Sequence, residues 1–225
     1  MVFVFLNTAS PAAAVDLKTI DYAQLGIASG GLAGTLLWVD HPQKPKWQSA
    51  ILLDEAAREQ FRYGTKENRE RADTLSDYLL GSSIALPVLQ TLFKGDRWSR
   101  GLVVTNALLS STFINEYAKR TVARKRPYVE NCAKEPDYVY FCNSSPYKSF
   151  YSGHAAAAFT AAGLVCAKRF DAFCAAGLTA ATLVGYFRIA SDAHYLSDVT
   201  AGILSGLLFG LVLPRAAHHE FQDHR

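Results

Sequence analysis

Six apolar stretches, at about residues 22–39, 76–93, 101–117, 154–167, 172–190 and 199–213, recur along the chain, and none holds a Lys or Arg in its middle. Most are shorter than the roughly 20 residues a bilayer span prefers, and several carry Asn, Ser or Thr, so each suits either a span or a buried helix. Strand-like alternation is scarce, and runs such as Ala155 to Ala167 and Gly177 to Tyr186 are rich in Ala and Leu, which favours helix. The expected fold is an all-α bundle of about six core helices, read as transmembrane, with an additional amphipathic helix near 50–65. There Leu52, Ala56, Phe61 and Tyr63 fall among Asp54, Glu55, Arg58, Glu59 and Arg62. Pro42 and Pro45 make 41–46 a turn or extended connection, and Thr74 is expected to cap the helix that follows.

Composition narrows the class. Charged residues are 19% of the chain, below the roughly 25% of ordinary soluble domains, which excludes disordered and coiled-coil classes. With 23 basic against 20 acidic side chains the net charge is +3, too small to argue for a nucleic-acid partner. Basic character is local instead: Lys119, Arg120, Arg124, Lys125 and Arg126 lie close together, with Arg120, Arg124 and Lys125 expected as solvated or headgroup-facing charge. Cys132, Cys142, Cys166 and Cys174 match no zinc spacing, so no metal site is expected. Cys132 and Cys142 share one polar loop and would pair in an oxidising compartment, whereas Cys166 and Cys174 read as core residues. Residues 1–14, with an apolar run from Val2 to Leu6 and alanines at 12–14, read as a signal peptide or a disordered N-terminus, followed by one domain over 15–225.

Lys94, Arg97 and Arg100 follow the second apolar segment, Lys168 and Arg169 the fourth, and Arg215 the sixth. Short cytoplasmic loops carry excess Lys and Arg, so in a membrane these places share the cytoplasmic side, and loops 118–153 and 188–198 share the external face. Six spans would put the N-terminus in the cytoplasm, which a cleaved signal contradicts. Either residues 1–16 are an uncleaved extension, or the first segment, interrupted by Gly26, Gly30, Gly31 and Gly34, packs otherwise, or the protein is a soluble periplasmic bundle.

The two external loops hold the chemistry. Lys119 and Arg126-Pro127 end the third apolar segment, Ser152-Gly153-His154 opens the fourth, and Arg188, His194 and Asp198 lie between the fifth and sixth. Taken singly, a basic helix end, a Ser-Gly N-cap and one His are ordinary structural features. Together, cations beside a Gly-containing helix start suit a phosphate: Arg offers a planar fork of donors, Lys a point charge, and free backbone N–H groups complete the cradle. His194 and Asp198 are four apart, so on a helix they would share a face, the carboxylate fixing one ring nitrogen and leaving the other as nucleophile. His154, beside the same cradle, could act as general acid.

Lys119-x6-Arg126-Pro127, Ser152-Gly153-His154 and Arg188-x5-His194-x3-Asp198 resemble the three-part signature of the type-2 phosphatidic acid phosphatase superfamily, which also includes class A acid phosphatases and vanadium haloperoxidases. The signature covers residues 119–198, and the run from His194 to Val199 is similar to bacterial membrane members. The resemblance implies that Lys119, Arg126, Ser152, Gly153 and Arg188 hold phosphate oxygens. It also implies that His194 attacks phosphorus, oriented by Asp198, and that His154 protonates the leaving group, with no metal and no cofactor. Tyr151 stands where the family has Pro and is expected to shape the pocket mouth; Phe187 replaces the usual Ser.

The expected partners are a lipid phosphate or pyrophosphate substrate and the bilayer, in a bacterial cell membrane with the site facing the periplasm; oligomeric state stays open. The alternatives are a soluble periplasmic acid phosphatase on small phosphomonoesters, a vanadate-dependent haloperoxidase, and a headgroup-binding membrane protein without catalysis. The two histidines separate the last from the enzymes, since gripping a headgroup needs cations alone.

Overall fold

A computed structural model describes residues 17–92, 97–132, 145–167 and 169–216. The regular elements are all helices, with no strand among the described residues. The order is α1 (Leu17–Trp38), α2 (Asp54–Phe61), α3 (Lys66–Leu92), α4 (Arg97–Val122), α5 (Gly153–Cys166), α6 (Ala172–Ala190), α7 (Leu196–Leu207), a π-helical turn (Leu208–Val212) and α8 (Leu213–Ala216). The six apolar stretches thus reappear as α1, α3, α4, α5, α6 and α7 with its π extension. The expected amphipathic helix is α2, shorter than 50–65. Thr74 lies inside α3, which begins at Lys66; its hydroxyl donates to the Glu70 carbonyl, so it caps nothing. The signal-peptide expectation for residues 1–14 lies outside the described residues. Among the described residues one helix, α6, is long and apolar enough to cross a membrane.

Successive side-chain contacts fix the directions of the helices. α1 and α4 run side by side in parallel, Asp21 meeting Asn106, Gln24 meeting Ser110 and Val39 meeting Arg120. α3 runs against them, bringing Asp73 and Asp77, early in that helix, to Arg188 at the end of α6 and His154 at the start of α5. The loop 39–53, the segments 123–132 and 145–152 and the turn 191–195 therefore gather at one end of the bundle, and the last residues of α3, of α5 and of α7 with its π extension gather at the other. Of the basic positions behind the grouping expected from loop charge, Lys94 and Lys168 lie outside the described residues.

α5 sits at the centre. Its Ala155, Ala156, Ala158, Ala161 and Ala162 are buried, and alanine lets neighbours approach its backbone closely. α7 and the π turn exploit this with Gly202, Gly206 and Gly210, spaced four apart on one helical face. A methyl on Gly202 would stand 2.6 Å from the Ser152 carbonyl oxygen, and methyls on Gly206 and Gly210 would press on the carbonyl oxygens of Ala156 and Thr160. On the other side Phe159, Ala162, Ala181 and Val184 join α5 to α6, with Leu79 and Leu80 of α3 packed against them.

The far end corrects one expectation. Cys166, at the end of α5, and Cys174, in the first turn of α6, form a disulfide with Cα atoms 4.7 Å apart. The chain reverses between two apolar helices within eight residues, which brings two buried thiols together where sequence showed only core positions. Cys142, the expected partner of Cys132, lies outside the described residues.

The glycine contacts make a stability prediction. Gly206→Ala forces a methyl against the backbone of α5, an overpacking expected to cost about 1–3 kcal/mol. Chemical denaturation of the two proteins should show this loss, and equal midpoints would mean that the helices separate freely.

Candidate phosphate-transfer site

The site is assembled by backbone before any side chain takes part. Arg126 N donates to the Pro146 carbonyl at 2.8 Å and Ser149 N to the Arg124 carbonyl at 3.0 Å, lacing the first motif to the strand of chain before the second. Ser152 N donates to the Asp198 carbonyl at 3.1 Å, joining the second motif to the third, and Tyr128 N to the Asp192 carbonyl at 3.1 Å, joining the first to the third. The N–H groups of Ala193 and His194 both reach the Arg188 carbonyl, at 3.2 and 3.1 Å, which folds the turn after α6 back onto its last residues.

Each expected residue can then be placed. Lys119 lies in the last turn of α4, with Nζ 3.5 Å from Glu116 Oε1. Ser152 is the N-cap of α5, fully buried, its Oγ accepting from Ala155 N at 3.4 Å. Gly153 follows as the first helical residue, and a methyl there would meet Lys119 Nζ at 2.9 Å and Asn115 Oδ1 at 2.6 Å. Glycine is what lets the lysine close on the helix start. Arg126 Nη1 donates to the Ala193 carbonyl at 3.2 Å and stands 3.4 Å from His194 Nε2. Arg188 Nη1 donates to Asp73 and, at 3.1 Å, to Ser76 Oγ. The buried Nε atoms of Arg126 and Arg188 have no partner in the protein, which leaves donors for an oxyanion. Lys119, Arg126, Arg188, His154 and His194 lie near enough for each charge to act on the others. At His194, burial first and then Arg126, Arg188 and Lys119 hold the imidazole well below its ordinary pKa.

Two placements depart from the expectations. His194 is not on a helix with Asp198: it lies in the turn before α7, and Asp198 is the third residue of that helix. The carboxylate therefore faces His194 Nδ1 at 3.7 Å, and that buried nitrogen has no hydrogen bond. Asp198 is occupied elsewhere: Oδ2 accepts from Ser149 Oγ at 2.5 Å and from Tyr195 N at 3.0 Å, and Oδ1 from Arg124 Nη1 at 2.5 Å. Tyr151 is buried rather than at a pocket mouth; Ser205 of α7 donates to its hydroxyl at 3.0 Å, and Asn115 to its carbonyl.

A model of the PAP2 superfamily matches residues 100–221. The chain belongs to that superfamily. No curated protein and no solved structure matches it. Membership of the PAP2 superfamily makes the protein a phosphoester hydrolase in general terms, and the three motifs that carry the resemblance all lie within the matched span.

Outside its motifs this PAP2 chain uses residues that sequence reasoning missed. Arg124, expected as solvated, is fully buried. Its guanidinium reaches Asp198, Asp54 Oδ2 at 2.7 Å, Ser197 Oγ at 2.7 Å and the Ser49 carbonyl at 3.1 Å, and it stacks 3.9 Å from the Trp47 ring. Asp54 in turn accepts from Ser197 N at 2.8 Å, and its carboxyl is held below the usual range by these bonds although burial opposes it. Arg58 of α2 bridges Asp192 at 2.7 Å and Glu130 at 2.7 Å, bracing the third motif's turn from outside. Lys125 and Arg120 complete the basic run: Lys125 stays near the surface on Glu130, and Arg120 is buried against the Val39 carbonyl.

Removing one partner of a buried ion pair strands the other's charge, so Arg124→Ala should lower stability by about 3–5 kcal/mol. Denaturant titration measures this; a loss below about 1 kcal/mol, the range of exposed pairs, would contradict the burial described.

Proposed function

We propose that the protein is a membrane-embedded phosphatase that hydrolyses a lipid phosphate or pyrophosphate through a phosphohistidine on His194, with no metal required. The observation that carries the reading is the facing of His194 Nε2 to Arg126 Nη1 at 3.4 Å, with the unpartnered Nε atoms of Arg126 and Arg188 beside it. A phosphoryl group held by Lys119, Arg126, Arg188 and the start of α5 presents phosphorus to that nitrogen. The N–P bond forms as the bond to the leaving oxygen breaks, and His154 gives that oxygen its proton. Water then attacks phosphorus, His154 takes a proton back, and the N–P bond breaks to release phosphate. Negative charge on the transferred oxygens is met by cations and N–H groups already fixed in place. Ser152 contributes by capping α5, and Asp198 by fixing the turn that carries His194.

The bilayer is supported by the outer surface. Large apolar side chains lie exposed along the bundle, among them Ile27, Leu37 and Leu204, while Trp38 stands exposed at the site end and Trp98 and Phe170 at the opposite end. An aliphatic belt with aromatic rims suits a bilayer and its two interfaces. In this reading the site opens to the periplasm. One observation favours a second reading, a soluble periplasmic enzyme acting on small phosphomonoesters. The Cys166–Cys174 bond lies at the end that would face a reducing cytoplasm, whereas disulfides persist in oxidising compartments.

Phosphate release should be assayed in detergent with excess EDTA from phosphatidate, a polyprenyl pyrophosphate and p-nitrophenyl phosphate, beside His194→Ala. Release from the lipids that vanishes in the variant is expected; turnover retained by the variant would sink the phosphohistidine. Release from p-nitrophenyl phosphate alone, by protein that stays soluble without detergent, selects the second reading.

The pH dependence follows from the buried imidazole. Its folded pKa lies well below the ordinary 6.5 of an imidazole, so His194 stays neutral and nucleophilic as pH falls through 6.5, and the acid limb of kcat/KM should lie below that value. Because the unfolded chain takes up this proton first, His194 also makes the fold less stable as pH drops below 6.5. An acid limb at or above 6.5 in the pH profile would contradict both statements.

A further inference from the structure

No motif falls on α3, yet that helix forms one wall of the site. Asp73 and Asp77 are four residues apart and share a face. Asp73, with Ser76, takes Arg188, and Asp77 Oδ1 stands 2.7 Å from His154 Nε2. Two carboxylates therefore face a cradle meant for an anion. Asp73 has an evident task, since it fixes one guanidinium nitrogen of Arg188 and leaves Nε free. Asp77 instead meets the imidazole of His154.

The surroundings of His154 show what that contact supplies. From α6 the imidazole faces Arg188, from α4 Lys119, from the loop after α4 Arg126, and from the turn before α7 His194; the acids are Asp73 and Asp77 of α3. A general acid must carry a proton when the leaving group departs, and burial first, then the cations Arg188, Lys119 and Arg126, oppose a protonated imidazole. A carboxylate at hydrogen-bond distance favours it and aims the ring.

We propose that Asp77 is the positioning residue of the general acid, holding His154 by Nε2–H in its protonated form so that Nδ1–H serves the leaving oxygen. This rests on the phosphatase reading above. As the P–O bond to the leaving group breaks and the N–P bond to His194 forms, the Nδ1 proton passes to the departing alkoxide. His154 is left neutral, with Nε2–H still on Asp77. In the second half the Nδ1 lone pair takes a proton from the attacking water as its oxygen bonds phosphorus and the N–P bond breaks. The imidazolium is thereby restored, and Asp77 touches no reacting atom.

The dependence on leaving group tests this. p-Nitrophenolate departs with little help from an acid, whereas the alkoxide of a short-chain phosphatidate needs the proton. Asp77→Asn should lower kcat on dioctanoyl phosphatidate about 10- to 100-fold, and on p-nitrophenyl phosphate less than about 3-fold. Asp77→Glu should recover part of the loss, and the upper limb of the kcat/KM profile should move to lower pH in the Asn variant. An equal loss on both substrates would mean that Asp77 is merely structural and would overturn the proposal. So would unchanged kcat with tighter substrate binding, since Asp77 would then only hold the place of an absent phosphate. Wild-type protein that releases phosphate from neither substrate overturns the phosphatase reading itself, and this inference with it.

Discussion

The guanidinium of Arg124 lies at the point where the molecule's working end is joined. It is fully buried, clamped between Asp54 and Asp198 and stacked on Trp47 and Tyr195. One cation between two carboxylates in a dry interior is costly to desolvate, and such a cluster persists when every lone pair is used. Here the hydroxyls of Ser149 and Ser197 and the N–H groups of Ile51, Tyr195 and Ser197 fill the carboxylate positions that Arg124 leaves. The network consequently spans the loop before α2, the first motif, the chain before α5 and the start of α7. The catalytic turn, lying between helices, is held by the Arg188 carbonyl, by Arg58 on Asp192, and by Asp198, which Arg124 fixes in its turn.

The helices were legible in sequence because bundle cores demand long apolar runs, and α6 coincides with its stretch, 172–190. The three motifs were legible for a different reason: a phosphate requires particular donors at particular helix ends. Sequence could not divide the basic run Lys119 to Arg126 between water and interior. The division is made by the backbone, since Ala123 has a positive φ of 49° that ends α4 and turns the chain. After that turn Arg124 points inward and Lys125 toward the surface. Spacing alone likewise placed His194 and Asp198 on one helix; Asp198 begins α7 as its N-terminal acceptor, and a helix cannot extend back through a turn tied to the Arg188 carbonyl. Asp73 and Asp77 carried no signal, because what they face is set by how α3 packs against α5 and α6.

Charge at the site is also balanced more finely than its motifs suggest. Glu116 sits among Lys119, Arg120 and Lys148, and Asp73 answers Arg188. The positive charge of the cradle is therefore partly offset, which limits mutual repulsion among its cations, while the unpaired Nε donors of Arg126 and Arg188 are left for an oxyanion. Lys148 shows the offset to be partial: burial first, with Arg120 and Arg126, lowers its pKa, and Glu116 opposes them.

The glycines at 202, 206 and 210 bear on this as well. α5 begins at the residue before His154, and α7 begins two residues after His194. The separation of the two histidines is thus tied to the separation of two helix axes, and that in turn is limited by hydrogen atoms where other helices carry side chains. Reaction geometry here is tuned by how closely α5 and α7 pack as well as by the motif residues. A chain that exchanged these glycines for bulkier residues could keep every motif residue and still hold its acid and nucleophile at the wrong span.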